Sequence, residues 1–510
     1  MEVSPDSSGS RRHFTLGDRL FQEKRFEEAV LEYEEGLRLD PEDVVGKWGL
    51  ARVLYALGFV GKALGLLSDL LERDREDTAA LLLQGKILLE NDHAPEALIP
   101  LRKVLKLKAD DVEALCLSAQ ARFSLGHVDE AAKQLRRAIE LDPRCHQACL
   151  QLAELSARDE DFEGAADLLL KALNINPEDY LTRLLLGRAK GELGQYEEAK
   201  VHLREAARLA PESVEPILEE GHVLEREGDL AAAAALYREI LRREPDHTEA
   251  RVDLAECLAD IGRVEDAITQ YKLVIQRLPN DASLYAGLGQ IYREKGDLSR
   301  ALRSCRRAVE LSPDNCDYIY DLANLYQQAG RPNDAEREFR RALTISADYA
   351  PAYNGLGMLY HEQGRLQEAA RQYTNAAKLE PSLDWPHFNL GLVFEETGDL
   401  AKAEACFRRV VELDPDDAEA RCCLGNTLRE QARYDEGLEQ FRKAAELAPD
   451  DPIPYAELCL FYHESLHDDE RARFFGEKFL ELGGQDPDVQ AVLDLLGRGY
   501  STDAEEPPEE

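Results

Sequence analysis

The sequence has no long uninterrupted run of apolar residues. Its N-terminus carries no apolar segment of the kind found in signal peptides, and no run approaches the about 20 apolar residues that a membrane-spanning helix requires. Strand-like alternation of apolar and polar residues is also absent. These absences argue against a membrane-spanning or β-sheet protein, and they predict a soluble, unprocessed, all-α chain.

Basic residues are few compared with acidic ones. The chain has 62 Lys and Arg against 101 Asp and Glu, which gives a formal net charge of −39. The tail from Asp503 to Glu510 supplies only five of these carboxylates, so most of the negative charge lies elsewhere. Such a surface opposes binding to nucleic acid and to anionic membranes. It either attracts basic segments of partner proteins or simply keeps an extended protein soluble.

Motifs that carry catalysis are missing or incomplete. There is no Walker motif and no evident pair of nucleophile and base. His463 to His467 spells H-E-x-x-H, as in zinc hydrolases, but we expect His467 beyond a helix end and find no third ligand. Cys145, His146 and Cys149 lack a second cysteine pair at zinc-finger spacing. We therefore expect no enzyme activity, no metal and no cofactor; a zinc hydrolase is the alternative that a metal assay would test.

The ten cysteines are scattered along the chain rather than grouped. Several of them, such as Cys149 and Cys305, fall at positions expected to lie in the core. This pattern favours reduced packing residues over disulfides, and it predicts a cytoplasmic protein.

Prolines recur with a fixed period of 34 residues. Steps of 34 from Pro41 reach a proline at nine of twelve places, and the other three places hold Arg75, Ala109 and Ala347. The nine prolines are Pro143, Pro177, Pro211, Pro245, Pro279, Pro313, Pro381, Pro415 and Pro449. A fixed period of this size predicts stacked copies of one small unit. Counting back from each proline, placed at position 32, defines thirteen repeats from Ser10 to Asp451.

Two positions of the repeat always hold small residues, and a third often holds a ring. Position 8 is Gly or Ala in every repeat, and position 20 is Ala in twelve repeats, from Ala29 to Ala403, and Gly437 in the thirteenth. Position 24 is aromatic in seven repeats, at Tyr33, Tyr237, Tyr271, Phe339, Tyr373, Phe407 and Phe441. Small residues let two helices approach closely, and a leucine forced into such a site should cost about 1–3 kcal/mol.

Glycine and proline mark the ends of the predicted helices. Glycine at position 15 suits the left-handed residue that ends a helix, and it occurs at Gly126, Gly194, Gly228, Gly262, Gly296, Gly330, Gly364 and Gly398. Proline at position 32 disfavours helix in the residue before it. Each repeat is therefore predicted to be a helix, a tight turn, a second helix and a second tight turn.

This pattern resembles the tetratricopeptide repeat family over residues 10–451. The resemblance implies an all-α, right-handed superhelical solenoid of about 13 helix-turn-helix repeats, whose first helices line a concave groove. Residues 1–9 and the acidic tail 500–510 are expected to be disordered, and 452–499 to form a degenerate repeat and a capping helix. Repeats 2–7 depart from the family pattern at positions 4 and 11, where Lys47, Arg122, Arg183 and Lys190 replace large apolar residues.

The resemblance also implies which positions face the groove, namely 2, 5, 9 and 12. In repeats 1–4 these include the aromatic residues Phe14, Phe21, Trp48 and Tyr55 and the cations Arg52 and Lys86. An aromatic groove with two cations would suit an apolar peptide that bears a carboxylate. The alternative is that these large residues pack one repeat against the next.

The groove side of repeats 7 and 8 is acidic. It gathers six carboxylates, Glu215, Glu219, Glu225, Glu249, Asp253 and Glu256. Such a lining would attract a segment rich in Lys and Arg. The alternative is a merely solvated acidic face.

Repeats 10–13 present side-chain amides instead. The set is Asn324, Asn354, Asn389 and Asn426, with Tyr320, Gln327, Met358, His361 and Arg429. Amides donate and accept, so they can pair with an extended peptide backbone of any sequence. The arrangement is similar to the asparagine-lined solenoid of protein O-linked N-acetylglucosamine transferase, although the asparagines hold positions 9, 5, 6 and 9 and no transferase domain is expected here.

These patterns indicate a binding protein rather than an enzyme. The first hypothesis is a scaffold or adaptor that binds extended segments of partner proteins in its groove and assembles a complex. The second is a substrate-recognition or regulatory subunit of a separate enzyme or secretion machine, such as a glycosyltransferase. Self-association of the solenoid is possible on either hypothesis.

Overall fold

The computed structural model describes residues 7–498, which form 29 α-helices and no strand. The chain divides into two compact units, with the boundary between Arg263 and Val264. Within residues 7–498, every helix is too short or too polar to cross a bilayer.

The first unit contains fifteen helices. They are α1 (Ser7–Gln22), α2 (Phe26–Leu39), α3 (Val44–Ala56), α4 (Val60–Arg73), α5 (Thr78–Glu90), α6 (Ala94–Leu107), α7 (Val112–Ser124), α8 (Val128–Leu141), α9 (His146–Arg158), α10 (Phe162–Ile175), α11 (Tyr180–Glu192), α12 (Tyr196–Leu209), α13 (Glu215–Glu227), α14 (Leu230–Arg243) and α15 (Thr248–Asp260).

The second unit contains fourteen described helices. They are α16 (Val264–Arg277), α17 (Ala282–Glu294), α18 (Leu298–Leu311), α19 (Cys316–Gln328), α20 (Pro332–Ile345), α21 (Ala350–Glu362), α22 (Leu366–Leu379), α23 (Trp385–Glu396), α24 (Leu400–Leu413), α25 (Ala418–Glu430), α26 (Tyr434–Leu447), α27 (Ile453–Glu464), α28 (Asp469–Glu481) and α29 (Pro487–Arg498).

The helices follow the 34-residue period read from the sequence. Each repeat supplies a first helix and a second helix, as α3 and α4 do in repeat 2. Beyond the thirteen repeats, α27 and α28 form a further pair, and α29 follows it. Helix α1 begins at Ser7, within the segment 1–9, and residues 1–6 lie outside the described residues. The acidic tail lies outside the described residues.

The small positions of the repeat are the places where helices come closest. All twelve alanines at position 20 have no exposed surface. A Cβ built on Gly391, at position 8, would lie 2.7 Å from Cε1 of Phe407, at position 24 of the same repeat. A Cβ on Gly287, at position 6, would lie 2.5 Å from the hydroxyl of Tyr271, at position 24 of the repeat before. Phe407 therefore packs against a glycine of the first helix of its own repeat, and Tyr271 against a glycine of the next first helix.

The turn after the first helix has the left-handed residue that glycine predicted. All eight glycines named for position 15, and Gly58 in repeat 2, have positive φ. In the four repeats without glycine there, Lys24, Asp92, Glu160 and Ala432 adopt φ of 59, 62, 61 and 59°. The left-handed turn is thus kept even in repeats whose residue at position 15 does not favour a positive φ.

Basic residues at positions 4 and 11 make polar contacts in place of apolar ones. Arg183, at position 4, donates from Nη2 to the carbonyl of Pro177 at 2.9 Å. Tyr285, at position 4 of repeat 9, donates to the equivalent carbonyl of Pro279 at 3.2 Å. Lys190, at position 11, lies 2.9 Å from Glu198. The two other departures also pair with carboxylates, Lys47 with Glu42 and Arg122 with Glu130.

Candidate functional site

First helices lie closer together than second helices in both units. Helix α5 contacts α7 and α7 contacts α9, and in the second unit α19 contacts α21 and α25 contacts α27. Among the described helices, no two second helices make a comparable contact. Each unit therefore curves toward its first helices, and we call their exposed side the inner surface.

On the inner surface of α1 and α3, an arginine lies between two aromatic rings. The Arg52 guanidinium is 4.1 Å from the ring centre of Phe21 and 4.9 Å from that of Trp48. Its Nη2 also donates to Oδ1 of Asp18 at 2.8 Å, and the Tyr33 hydroxyl donates to the same oxygen at 2.6 Å. The expected free cation is therefore already neutralised, and it offers little to a peptide carboxylate.

The other residues of the predicted aromatic groove are mostly occupied in packing. Phe14 is only 4% exposed and stacks on Tyr33 at 6.2 Å between ring centres, so it belongs to the core and not to the groove. Tyr55 is half-buried against the same core. Lys86 lies 4.0 Å from Glu90, one turn away on its own helix. Phe14 thus packs between helices in this structure.

A cavity that the sequence analysis missed opens beside Phe123, on α9 and α11. Its volume is about 450 Å³. Alanine, leucine and phenylalanine side chains form the walls, and charged residues stand among them; the lining is Phe123, Ala153, Glu154, Ala157, Arg158, Phe162, Leu169, Leu185, Arg188, Ala189 and Glu192. A smaller cavity of about 260 Å³ shares Phe123 and Glu154 on the side toward α7. Apolar walls with a few charged groups are typical of sites that hold an apolar side chain.

The residue at position 12 explains the cavity. In repeats 1–4 this position holds Phe21, Tyr55, Leu89 and Phe123, whereas repeat 5 has Ala157 and repeat 6 has Gly191. The space that a large side chain fills in the earlier repeats is therefore left open. The sequence signal at this site is two small residues at position 12 in successive repeats, Ala157 and Gly191, whereas the small Ala259 of repeat 8 stands alone.

Next to this cavity, four charged residues of α11, α13 and α15 form a hydrogen-bonded cluster. Arg188 donates from Nη2 to Oε1 of Glu219. His222 lies with Nε2 3.3 Å from Oδ2 of Asp253 and Nδ1 3.9 Å from Oε2 of Glu219. The hydrogen bond to Asp253 and the nearby carboxylate of Glu219 raise the pKa of His222 to about 10. Burial would raise the pKa of Glu219, but bonds from His222 and Arg188 lower it to about 2.

Two of the six carboxylates predicted to line repeats 7 and 8 are thus compensated. Glu219 and Asp253 are paired with Arg188 and protonated His222. Glu256 is exposed on α15. A Lys- or Arg-rich segment would have to displace the internal cations from Glu219 and Asp253, so these two carboxylates are weaker attractors than their number suggests.

In the second unit, amide side chains line a cavity of about 400 Å³ on α17, α19 and α21. Four residues named from the sequence meet there, Tyr320, Asn324, Gln327 and Met358, together with Arg293, Gln328 and Glu362. Met358 is 42% exposed. This surface offers donors, acceptors and one flexible apolar side chain.

The other asparagines are partly bonded to one another. Asn389 donates from Nδ2 to Oδ1 of Asn354 at 3.0 Å, and Asn354 is 9% exposed. His361 pairs with Glu396 at 2.8 Å. Farther along, Oδ1 of Asn426 is buried without a hydrogen-bond partner among the described residues, and Nη1 of Arg429 forms an ion pair with Oε2 of Glu464 at 3.6 Å.

The H-E-x-x-H residues do not share a helical face. Helix α27 ends at Glu464, and His467 lies beyond it with a φ of 55°. His463 pairs through Nδ1 with Asp469 at 3.0 Å. Across residues 7–498, no group of three or more His, Cys, Asp or Glu is placed to hold a metal ion.

Models of the tetratricopeptide repeat match along most of this chain. The matched residues are 20–87, 116–180, 182–213, 224–291, 292–359, 357–398 and 388–452. Together they cover more than half of the sequence. No curated protein matches the chain.

Solved structures align with the chain at low similarity. The APC/C hetero-tetramer Cut9–Hcn1 aligns over 96% of this chain and 97% of that chain, with 18% identity and a TM-score of 0.40. A crystal structure of MamA aligns over 31% of this chain and 94% of that chain, with 26% identity and a TM-score of 0.29. A second MamA structure covers 33% and 92%, with 25% identity and a TM-score of 0.30.

Proposed function

This chain belongs to the tetratricopeptide repeat family, and on that premise we propose that it is a non-enzymatic scaffold. It binds extended segments of partner proteins along the inner surface of its first helices and so assembles a multi-protein complex. Its ten cysteines are all free thiols, seven of them buried, which supports the cytoplasm as its compartment.

The cavity beside Phe123 is the observation that carries this proposal. At about 450 Å³ it has room for a large apolar side chain of a bound segment. Of the charged residues that line it, Arg158 can bond the backbone beside that side chain, whereas Arg188 is paired with Glu219 and Glu192 with Arg226. Binding energy in such interfaces concentrates on one or two buried anchors. We therefore assign the anchor of the bound segment to this cavity.

Filling the cavity tests the proposal. Ala157→Leu restores the large residue that repeats 1–4 carry at position 12 and should abolish capture of the partner from native lysate. Ala259→Leu is the matched control, because it makes the same change at position 12 of repeat 8. In a peptide that reproduces the partner's segment, changing the apolar anchor to alanine should cost more than about 1 kcal/mol of binding.

Two results would contradict the proposal. One is recovery of the same partners by the wild type and by Ala157→Leu. The other is the absence of any partner above background at both low and moderate salt. Circular dichroism of both variants would show that their helix content is unchanged.

The amide cavity of α17, α19 and α21 favours a second candidate function. Asn324 and Gln327 at its wall can bond a peptide backbone whatever its sequence, as a subunit that presents many substrates to a separate enzyme would need. On this alternative the protein changes the substrate range of a partner enzyme. Asn324→Ala with Gln327→Ala should then narrow that range, while Ala157→Leu should leave it unchanged.

A further inference from the structure

Helix α1 presents a basic face on the side opposite to its buried residues. Arg11, Arg12, Leu16 and Arg19 are exposed there and border one shallow depression. Arg11 and Arg12 form no ion pair with any described residue, and Arg19 bonds Glu23 at 3.0 Å. Leu16, in the middle of the face, is 43% exposed. In a chain of net charge −39, this face carries two arginines without an ion-pair partner among the described residues.

Helix α29 presents the opposite charge. Its inner side, with Val489, Val492 and Leu496, is buried in the core of the last repeat. Its outer side exposes Asp488 and Asp494, neither of which forms an ion pair within residues 7–498. Leu495, which directly follows Asp494, is 59% exposed to solvent.

The two faces are complementary in charge, and each has an exposed leucine. Because each chain carries both faces, the basic face of one copy can contact the acidic face of another copy. We propose that copies of this protein associate head to tail, with the basic face of α1 in one copy against the acidic face of α29 in the next. When two different faces meet, each copy still has one face free for a further copy. Unless the rotation from one copy to the next closes a ring, such contacts therefore produce open chains of copies.

The contact should be weak and sensitive to salt. It joins two single helices, so its area is below that of a stable dimer interface. Salt at about 1 M shortens the Debye length to about 3 Å and should screen the arginine–aspartate attraction. We therefore expect the average mass at low salt to rise with protein concentration above 57.3 kDa, and to return to that value at high salt.

Charge reversal in the full-length protein tests the proposal by sedimentation velocity. Arg11→Glu with Arg12→Glu, and separately Asp488→Lys with Asp494→Lys, should each weaken association at least about tenfold, because both end faces of a copy then carry the same sign. An equimolar mixture of the two variants should associate again, since each supplies the charge that the other lacks. Lys103→Glu with Lys106→Glu, on the exposed side of α6, is the control and should leave association unchanged.

Three outcomes would overturn the proposal. The first is a constant mass of one chain at every concentration and salt. The second is association that both charge-reversed variants retain. The third is a mixture of the two variants that stays monomeric although each has wild-type circular dichroism. None of these readouts depends on the scaffold function, so the self-association and the partner binding can fail separately.

Discussion

His222 should keep its proton at pH values where an ordinary histidine has lost it. Its ring nitrogens face Asp253 at 3.3 Å and Glu219 at 3.9 Å, and these carboxylates hold its pKa at about 10 instead of 6.5. Because the folded-state pKa is raised, the stabilisation is fully present below pH 6.5. It declines as the pH rises and is lost above about pH 10.

The size of the His222 pKa shift sets an upper limit on its contribution to the free energy of unfolding. Moving a pKa from 6.5 to about 10 corresponds to at most about 5 kcal/mol, at about 1.4 kcal/mol for each pH unit. The side chain is 26% exposed, and Glu219 is shared with Arg188. We therefore expect about 2 kcal/mol of stabilisation at pH 6 to disappear by pH 10.

Histidine NMR in the full-length protein measures this directly. The Cε1–H resonance that His222→Gln removes should not titrate between pH 6 and 8. His202 provides an internal contrast, because burial and nearby cations lower its pKa. Urea unfolding followed at pH 6 and pH 9.5 should show a smaller pH dependence in His222→Gln than in the wild type. If the assigned resonance titrates near pH 6.5, the cluster does not exist in solution as described.

Two further predictions concern the repeat itself. Gly425→Leu should destabilise the second unit by about 1–3 kcal/mol in urea unfolding, since even a Cβ there would lie 2.7 Å from Phe441. A Cβ at the exposed Gly61 would have no atom within 4 Å, so Gly61→Leu in helix α4 should be neutral or stabilising. Equal effects of the two substitutions would refute the packing argument. Glu160→Gly should raise the free energy of unfolding by about 1 kcal/mol, because glycine adopts the φ of 61° without strain. The control, Glu163→Gly, lies inside helix α10 and should lower the free energy of unfolding by about 1 kcal/mol. A loss of stability in both variants would show that the turn holds no strain.

The architecture could be predicted from the sequence because a few positions are tied to packing in every repeat. Position 20 holds alanine where two helices meet with no exposed surface, as at Ala403. Gly391 is small because Phe407 packs against it. These contacts recur every 34 residues, so the period alone reveals them.

The surface chemistry could not be predicted in the same way. Arg52 was expected to be a free cation, but its partner Asp18 lies in the preceding repeat, 34 residues away. The sequence shows which residues face the inner surface, and it does not show which of them are already bonded to each other. The same holds for His222, whose carboxylates come from its own helix and from the next first helix.

The cavity beside Phe123 shows what kind of signal does reveal function in such a chain. A type of residue that packing requires, such as a small residue at position 8, recurs along the repeats, so it carries no information about a partner. Where the residue at one position of the repeat differs from repeat to repeat, packing between helices does not fix its type. At position 12, Phe123 is followed by Ala157 and Gly191, and the structure has an open cavity at this place. We infer that departures from the repeat at inner-surface positions, more than the repeat itself, mark where this scaffold binds.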